Sequence, residues 1–136
     1  MRISTKGKYA LILLVDIAEN QNESGDFVSL SDVSSRHNIS KKYLERIVTM
    51  LVKPGIIRAT RGNKGGYQLN KPPYMCTVGE ILRATEGALS PVDESEEDPE
   101  VLYVWEGLFE VINKYVDSIS LQDIVEHSRK YTDFYL

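Results

Sequence analysis

Arg61 and Lys64 bracket a Gly-Asn pair in the run Arg61-Gly62-Asn63-Lys64-Gly65-Gly66, between the strand-like stretches Ile56 to Arg61 and Tyr67 to Asn70. Those glycines allow the positive-φ turns of a β-hairpin, so the segment reads as a small wing with cations at its tip. Such cations can lie on a sugar-phosphate backbone or enter a narrow minor groove, which favours inserted arginine. The same glycines lack the GxxxxGK[ST] spacing of a phosphate-cradling loop and do not precede a helix, so nucleotide binding is discarded. Just upstream, Lys42, Arg46, Thr49 and Lys53 share one side of a helical wheel, opposite Leu44, Ile47, Val48 and Leu51, with Tyr43 and Glu45 on the flanks. A basic, polar helix face followed by a hairpin fits a recognition helix entering a DNA major groove beside its wing. Cys76 is the one cysteine, and only His37 and His127 join it, so there is no CxxC or HxxxH ligand set for zinc or an iron–sulfur cluster. No cofactor is expected. No Ser/His/Asp, Cys/His or paired-carboxylate constellation has a pocket-forming context, so catalysis is not expected either.

The charge is unevenly placed along the 136 residues. Residues 1–75 hold 12 Lys/Arg against 6 Asp/Glu, and residues 76–136 hold 4 against 14, so a net of +6 faces a net of −10. A basic front joined to an acidic rear suggests a polyanion-binding head with a part kept off the polyanion. Apolar residues at 42% and charged residues at 26% fit an ordinary globular chain of one domain plus an appended element. No apolar run approaches the ~20 residues of a membrane span and no signal-peptide pattern opens the chain, so a cytoplasmic location without membrane contact is expected.

The elements that would position these groups follow from caps and periodicity. Ser4 and Thr5 precede a mostly apolar helix over 6–20, interrupted by Asp16, and residues 20–26 read as a polar loop. Ser29 with Asp32 starts a short helix from Leu30 to about Arg36, with Leu30 and Val33 in the core. After the turn His37-Asn38-Ile39, Ser40 caps the basic helix, which Pro54 and Gly55 end beyond Lys53. Thr77-Val78-Gly79-Glu80 has the spacing of a capping box, and Gly87 should stop the helix it starts. Residues 90–100, acidic with two prolines, read as an exposed, mobile loop. Asp98 and Pro99 open a long helix whose apolar residues Val101, Trp105, Leu108, Ile112, Tyr115 and Ile119 step by 4, 3, 4, 3, 4. A second row, Leu102, Phe109 and Val116, makes the apolar arc too wide for one neighbour. One row is expected to meet the chain's own head and the other a second subunit; periodicity does not say which. Ser120 and Asp123 start a last short helix, and the aromatic end Tyr131 to Leu136 should dock. The expected fold is thus mainly α with a small β-hairpin: a winged helix-turn-helix head over 1–75, a connecting helix and acidic loop over 76–98, and a dimerisation helix and C-terminal helix over 99–136.

Ile3-Ser4-Thr5-Lys6-Gly7-Lys8-Tyr9-Ala10-Leu11, Ser40-Lys41-Lys42-Tyr43-Leu44-Glu45, Arg61-Gly62-Asn63-Lys64-Gly65-Gly66-Tyr67-Gln68-Leu69, Gly79-Glu80-Ile81-Leu82 and Glu86-Gly87 come in the order found in a family of bacterial winged-helix regulators. The chain resembles that family, which includes the iron–sulfur regulator IscR, the nitric-oxide sensor NsrR and the cysteine-metabolism repressor CymR. The resemblance is close over 1–87 and extends to the long helix by pattern. It implies a homodimeric transcription factor on double-stranded DNA, most simply a repressor, with paired long helices and a roughly palindromic operator. Where IscR and NsrR carry three clustered cysteines, this chain has Asp93, Glu94, Glu96, Glu97 and Asp98. Carboxylates do not replace the thiolates of such a cluster, so the likeness is to the cluster-free CymR branch, with sulfur or cysteine metabolism as the implied setting.

Carried onto matching positions, the resemblance places Lys42, Tyr43 and Glu45 at the major groove and Arg61 at the minor groove. Glu45 would be repelled by phosphates but can accept from a cytosine amino group; the plainer alternative is an intrahelical pair with Lys41 or Lys42. Lys6, Lys8, Lys41, Arg46 and Lys64 are assigned to phosphates, and Ser40 and Asn63 complete the DNA-facing set. Cys76, just before a helix start that would lower its pKa, is a candidate thiol sensor; the plainer alternative is a buried filler. An effector ligand or a protein partner would tune occupancy. From a different class comes a protein-interaction module, in which the acidic C-terminal half binds a metabolic enzyme or another partner.

Overall fold

Side-chain hydroxyls and carboxylates begin the helices at the places the sequence marks for them. A computed structural model describes residues 1–21, 27–60 and 65–135. Helix α1 spans Thr5–Asn20, and Ser4 Oγ accepts from the Gly7 amide at its start. Helix α2 spans Leu30–His37 under a Ser29 cap, and α3 spans Lys41–Val52 under a Ser40 cap. Asn38, at φ 54° and ψ 44°, provides the left-handed residue that turns α2 into α3. The expected end of α2 near Arg36 moves out to His37, and α3 stops one residue short of Lys53.

Strands β1 (Ile57–Ala59) and β2 (Tyr67–Leu69) pair antiparallel with Ile57 opposite Leu69. Val28, just before α2, adds a bridge to Tyr67 on the other edge of β2, with N–O distances of 2.9 and 2.8 Å. Gly66 permits that close approach. A β-carbon there would lie 2.5 Å from the Val28 carbonyl oxygen.

A 3-10 turn at Pro73–Met75 leads to α4 (Val78–Glu86), and a second at Glu94–Glu96 lies in the acidic segment expected to be an irregular loop. Helix α5 spans Pro99–Asp117, capped by Asp98, and α6 spans Leu121–Tyr135. The last helix is therefore fifteen residues rather than short. Of the aromatic end expected to dock, Tyr131 is exposed, and the side chains of 132–136 lie outside the described residues. The capping box forms only by half. Thr77 Oγ1 accepts from the Glu80 amide, but the Glu80 carboxylate pairs instead with Lys71 Nζ at 2.9 and 3.0 Å.

Helix α1 lies among α3, α4, α6 and β2, which explains its nearly continuous apolar sequence: Ala10, Leu13, Leu14 and Ile17 are fully buried. They share one core with Val33, Leu44, Ile47, Leu51, Ile57, Ile81 and Leu121. Each large aliphatic there contributes about 1.5–3 kcal/mol by leaving water. A second, smaller core joins Val78 and Leu82 of α4 to Leu89 and Val116, with Ile112 and Ile119 packed against it. Row two of the long helix thus meets its own head through Val116, and Ile112 and Ile119 of row one turn the same way. Exposed apolar residues on α5 are Val101, Tyr103, Val104, Leu108, Val111 and Tyr115; all but Tyr103 fall at steps of 3, 4, 3 and 4, with Val111 65% exposed.

Helix α4 fastens α5 to α1. Arg83 donates to Asp117 at 2.7 and 2.8 Å and to Asn113 at 2.8 Å on α5. One turn on, Glu86 Oε1 accepts from the Ser4 amide at 2.9 Å and its hydroxyl at 2.5 Å.

Candidate nucleic-acid interface

Helix α3 buries Leu44, Ile47, Val48 and Leu51 and leaves Lys41, Lys42, Glu45, Arg46 and Thr49 exposed, with Lys53 exposed just beyond its end. The wheel read from the sequence is the one observed. Among the described residues, the side chains of Lys41, Lys42, Glu45 and Arg46 have no hydrogen-bond or ion-pair partner, so Glu45 does not form the intrahelical pair considered for it. Tyr43 is half-buried and its ring meets Tyr9 edge-on, with centroids 5.6 Å apart, which ties the start of α3 to α1. Ser40 Oγ accepts from the Tyr43 amide, so this member of the expected DNA-facing set serves the helix cap.

Lys8 is exposed and Lys6 half-buried on the first turn of α1. Arg61, Asn63 and Lys64, expected at the tip of the wing, lie outside the described residues, as do 22–26, expected to form a polar loop. The base of the wing is described. There Arg58, a cation the sequence reading did not single out, donates to Gln68 Oε1 at 2.6 and 3.2 Å and lies over the Phe27 ring at 6.0 Å. Between the wing base and the starts of α2 and α3 runs a polar cleft of about 520 Å³, lined by Ser29, Ser31, Lys41, Glu45, Thr60 and Tyr67 among others.

The orientation of α2, and through it α3, is set by a buried carboxylate that the sequence shows only as a break in an apolar run. Asp16 is 2% exposed. Its Oδ2 accepts from Arg36 Nε at 2.8 Å and its Oδ1 from Arg36 Nη2 at 2.7 Å, and His37 Nε2 lies 2.8 Å from the same Oδ2. Burial pushes the Asp16 carboxyl upward, but the hydrogen bonds and charges of Arg36 and His37 together outweigh it and hold the group below its ordinary value.

Cys76 is 2% exposed, and burial, helped by the Glu80 charge, pushes its thiol up to about 11. The expected lowering by the helix start is reversed: desolvation outweighs a helix of nine residues. The stretch with Asp93, Glu96, Glu97 and Asp98 offers only carboxylates, and no group of three or more His, Cys, Asp or Glu among the described residues is placed to hold a metal. One buried thiol does not make the donor set of an iron–sulfur cluster.

A helix-turn-helix with a cationic outer face, a β-wing directly behind it and a long appended helix define a winged-helix, DNA-binding transcriptional regulator. The sequence matches the Rrf2 family model, described as "Iron-dependent Transcriptional regulator", over residues 3–127. It is 34% identical to the transcriptional regulator CymR of Bacillus subtilis, covering 94% of this chain and 92% of that one. It is 35% identical to the regulator IscR of Cereibacter sphaeroides, covering 96% and 90%. The structure of B. subtilis CymR, the "Global Cysteine Regulator", superposes with a TM-score of 0.83 at 33% identity, covering 93% of this chain and 98% of that one. The chain belongs to the Rrf2 family. Its relatives are bacterial transcriptional regulators, not enzymes, and no described helix is long and apolar enough to cross a membrane.

Proposed function

We propose that this chain is a homodimeric repressor that reads a roughly palindromic operator without an iron–sulfur cluster. The observation that carries the DNA-reading geometry is the outer face of α3, where Lys41, Lys42, Glu45 and Arg46 are exposed and unpaired among the described residues. Lys42, Tyr43 and Glu45 face the major groove, Arg61 the minor groove, and Lys6, Lys8, Lys41, Arg46 and Lys64 the phosphates. Residues 1–75 act as the reading head, 76–98 as the connector and 99–136 as the pairing unit.

Dimerisation is supported by the outward stripe Val101, Val104, Leu108, Val111 and Tyr115, whose 3-4 spacing is that of a helix seam. Trp105 is half-buried at the border of that stripe, and its Nε1 is buried without a hydrogen-bond partner among the described residues. Ile112 and Ile119 support the seam from behind by packing on the second core. Two-fold pairing matches two recognition helices to two half-sites. The cluster-free reading rests on the donor set: one buried cysteine and an acidic segment of hard oxygen ligands. The likeness to CymR makes cysteine or sulfur metabolism the regulated setting, with a ligand or protein partner biasing the spacing of the recognition helices.

Selection of duplexes from a random-sequence pool, followed by a salt titration, tests this reading. The expected result is a two-fold symmetric consensus bound by a dimer, with affinity falling steeply as salt rises. Lys42→Ala and Glu45→Ala should weaken or relax particular base positions. A flat pool, or a monomer on a single half-site, overturns it, and a module that binds only proteins gives the flat pool. A promoter carrying the consensus should fall in transcription when the protein is supplied; a rise overturns repression.

A further inference from the structure

With α3 in the major groove and the hairpin over the neighbouring minor groove, one sugar-phosphate strand necessarily separates the two, and it must cross the space between α3 and the wing. That space is the polar cleft of about 520 Å³. Its lining sorts by chemistry. Ser29 Oγ is already committed to the α2 cap, where it accepts from the Asp32 amide at 3.1 Å. Ser31 is exposed and Thr60 half-buried, and neither hydroxyl has a partner among the described residues. Lys41, exposed on the first turn of α3, is a cation on the same cleft. Two free hydroxyl donors and an ammonium from three separate segments make a set suited to one phosphate.

We infer that Ser31, Thr60 and Lys41 seat a phosphate of the strand running between the two grooves, making the cleft a fixed register point for the duplex. Glu45, on the same cleft, sets its direction. A phosphate against an unpaired carboxylate is repelled, so the phosphate takes the side of Ser31 and Thr60, and Glu45 is left toward the base edges. The Val28 to Tyr67 bridge holds the wing base against the start of α2, so the hydroxyls from α2 and from the wing keep their separation. This inference rests on the reading of α3 as the major-groove helix.

The test uses the full-length protein and a 30-base-pair duplex recovered from the random pool, with an unrelated duplex beside it. Ser31→Ala and Thr60→Val should each weaken binding to both duplexes about tenfold, with base ranking and salt slope unchanged, because a neutral hydroxyl bond to a charged group is lost. Lys41→Ala should instead reduce the salt slope by about 1.8 for the dimer, about 0.9 for each half-site. Replacing phosphates one at a time by neutral methylphosphonates should reveal one position per half-site whose cost to the wild type is larger than its cost to the Ser31→Ala/Thr60→Val double variant, which keeps only the Lys41 share. Thermal unfolding of the double variant within about 2 °C of the wild type excludes a folding defect; a larger drop moves the test to Ser31→Ala alone, at the surface. A double variant that binds within twofold of the wild type, or one penalised at every methylphosphonate like the wild type, overturns the seat. If Lys42→Ala and Glu45→Ala also leave affinity and base ranking untouched, the major-groove reading falls as well; if those two act and the hydroxyls do not, only the seat falls.

Discussion

Replacing Asp16 with Asn removes one charge at nearly constant volume from the group that holds the end of α2. In the wild type the carboxylate takes three short contacts, from Arg36 at 2.8 and 2.7 Å and His37 at 2.8 Å, while only 2% exposed. Breaking a buried pair costs about 3–5 kcal/mol when the abandoned partner stays buried. Here the partners are 40% and 36% exposed and recover water, which lowers the expected cost to about 2 kcal/mol. For a chain of this size that is a fall of about 6–10 °C in Tm, read by circular dichroism at pH 7 and fixed protein concentration. The pH dependence supplies a second check. The folded Asp16 carboxyl titrates below its ordinary value of 3.8, so its stabilisation is complete above that value and is lost as pH falls through the folded value. The deficit of Asp16→Asn should therefore still be present at about pH 5 and shrink toward zero in strong acid, where the wild type has lost the same charge. A deficit below about 0.5 kcal/mol at pH 7, or one of equal size at the acid end, would refute the assignment.

Three further outcomes follow from the packing. Gly66→Ala should cost about 2 kcal/mol in urea unfolding, because its β-carbon meets the Val28 backbone rather than a movable side chain; a change under about 0.5 kcal/mol would show that the wing base yields. Leu108→Glu and Val111→Glu should leave the fold intact by circular dichroism and convert a sedimenting dimer to monomer, whereas Val116→Asp should unfold the chain; dimers that survive both Glu variants place the seam elsewhere. Cys76 should react with a maleimide at pH 8 at least about a hundredfold more slowly in the native protein than in denaturant, from the thiol's rise from 9.0 to about 11. Equal rates would mean an open thiol, and peroxide-dependent DNA binding that vanishes in Cys76→Ser would restore the sensor.

Features decided within four residues were legible before the structure. Ser4, Ser29, Ser40, Thr77 and Asp98 each cap the helix they precede, because an N-cap needs only an oxygen and an amide two or three residues on. The faces of α3 were legible for the same reason. What depends on a distant partner was not. Asp16 finds Arg36 twenty residues away and on another helix. Glu80 leaves its cap because Lys71 approaches from a preceding loop, and Val28 joins the sheet only once Gly66 brings the wing base beside it. Periodicity drew two apolar rows along the long helix but could not say which row has a neighbour, so the exposed Val104 and Val111 were passed over in favour of Ile112 and Ile119, which pack on the second core. Ser31 and Thr60 gave no signal at all, being small polar residues that acquire meaning from the cleft they share.

The nine residues of α4 measure only about 13 Å, too short to flex, and both ends are fastened. Arg83 grips the long helix and Glu86 grips the first residues of the head. A stiff strut pinned at two points transmits displacement without absorbing it. Through those two ends α4 is the hydrogen-bonded link between the long helix and the segment that bears Lys6 and Lys8.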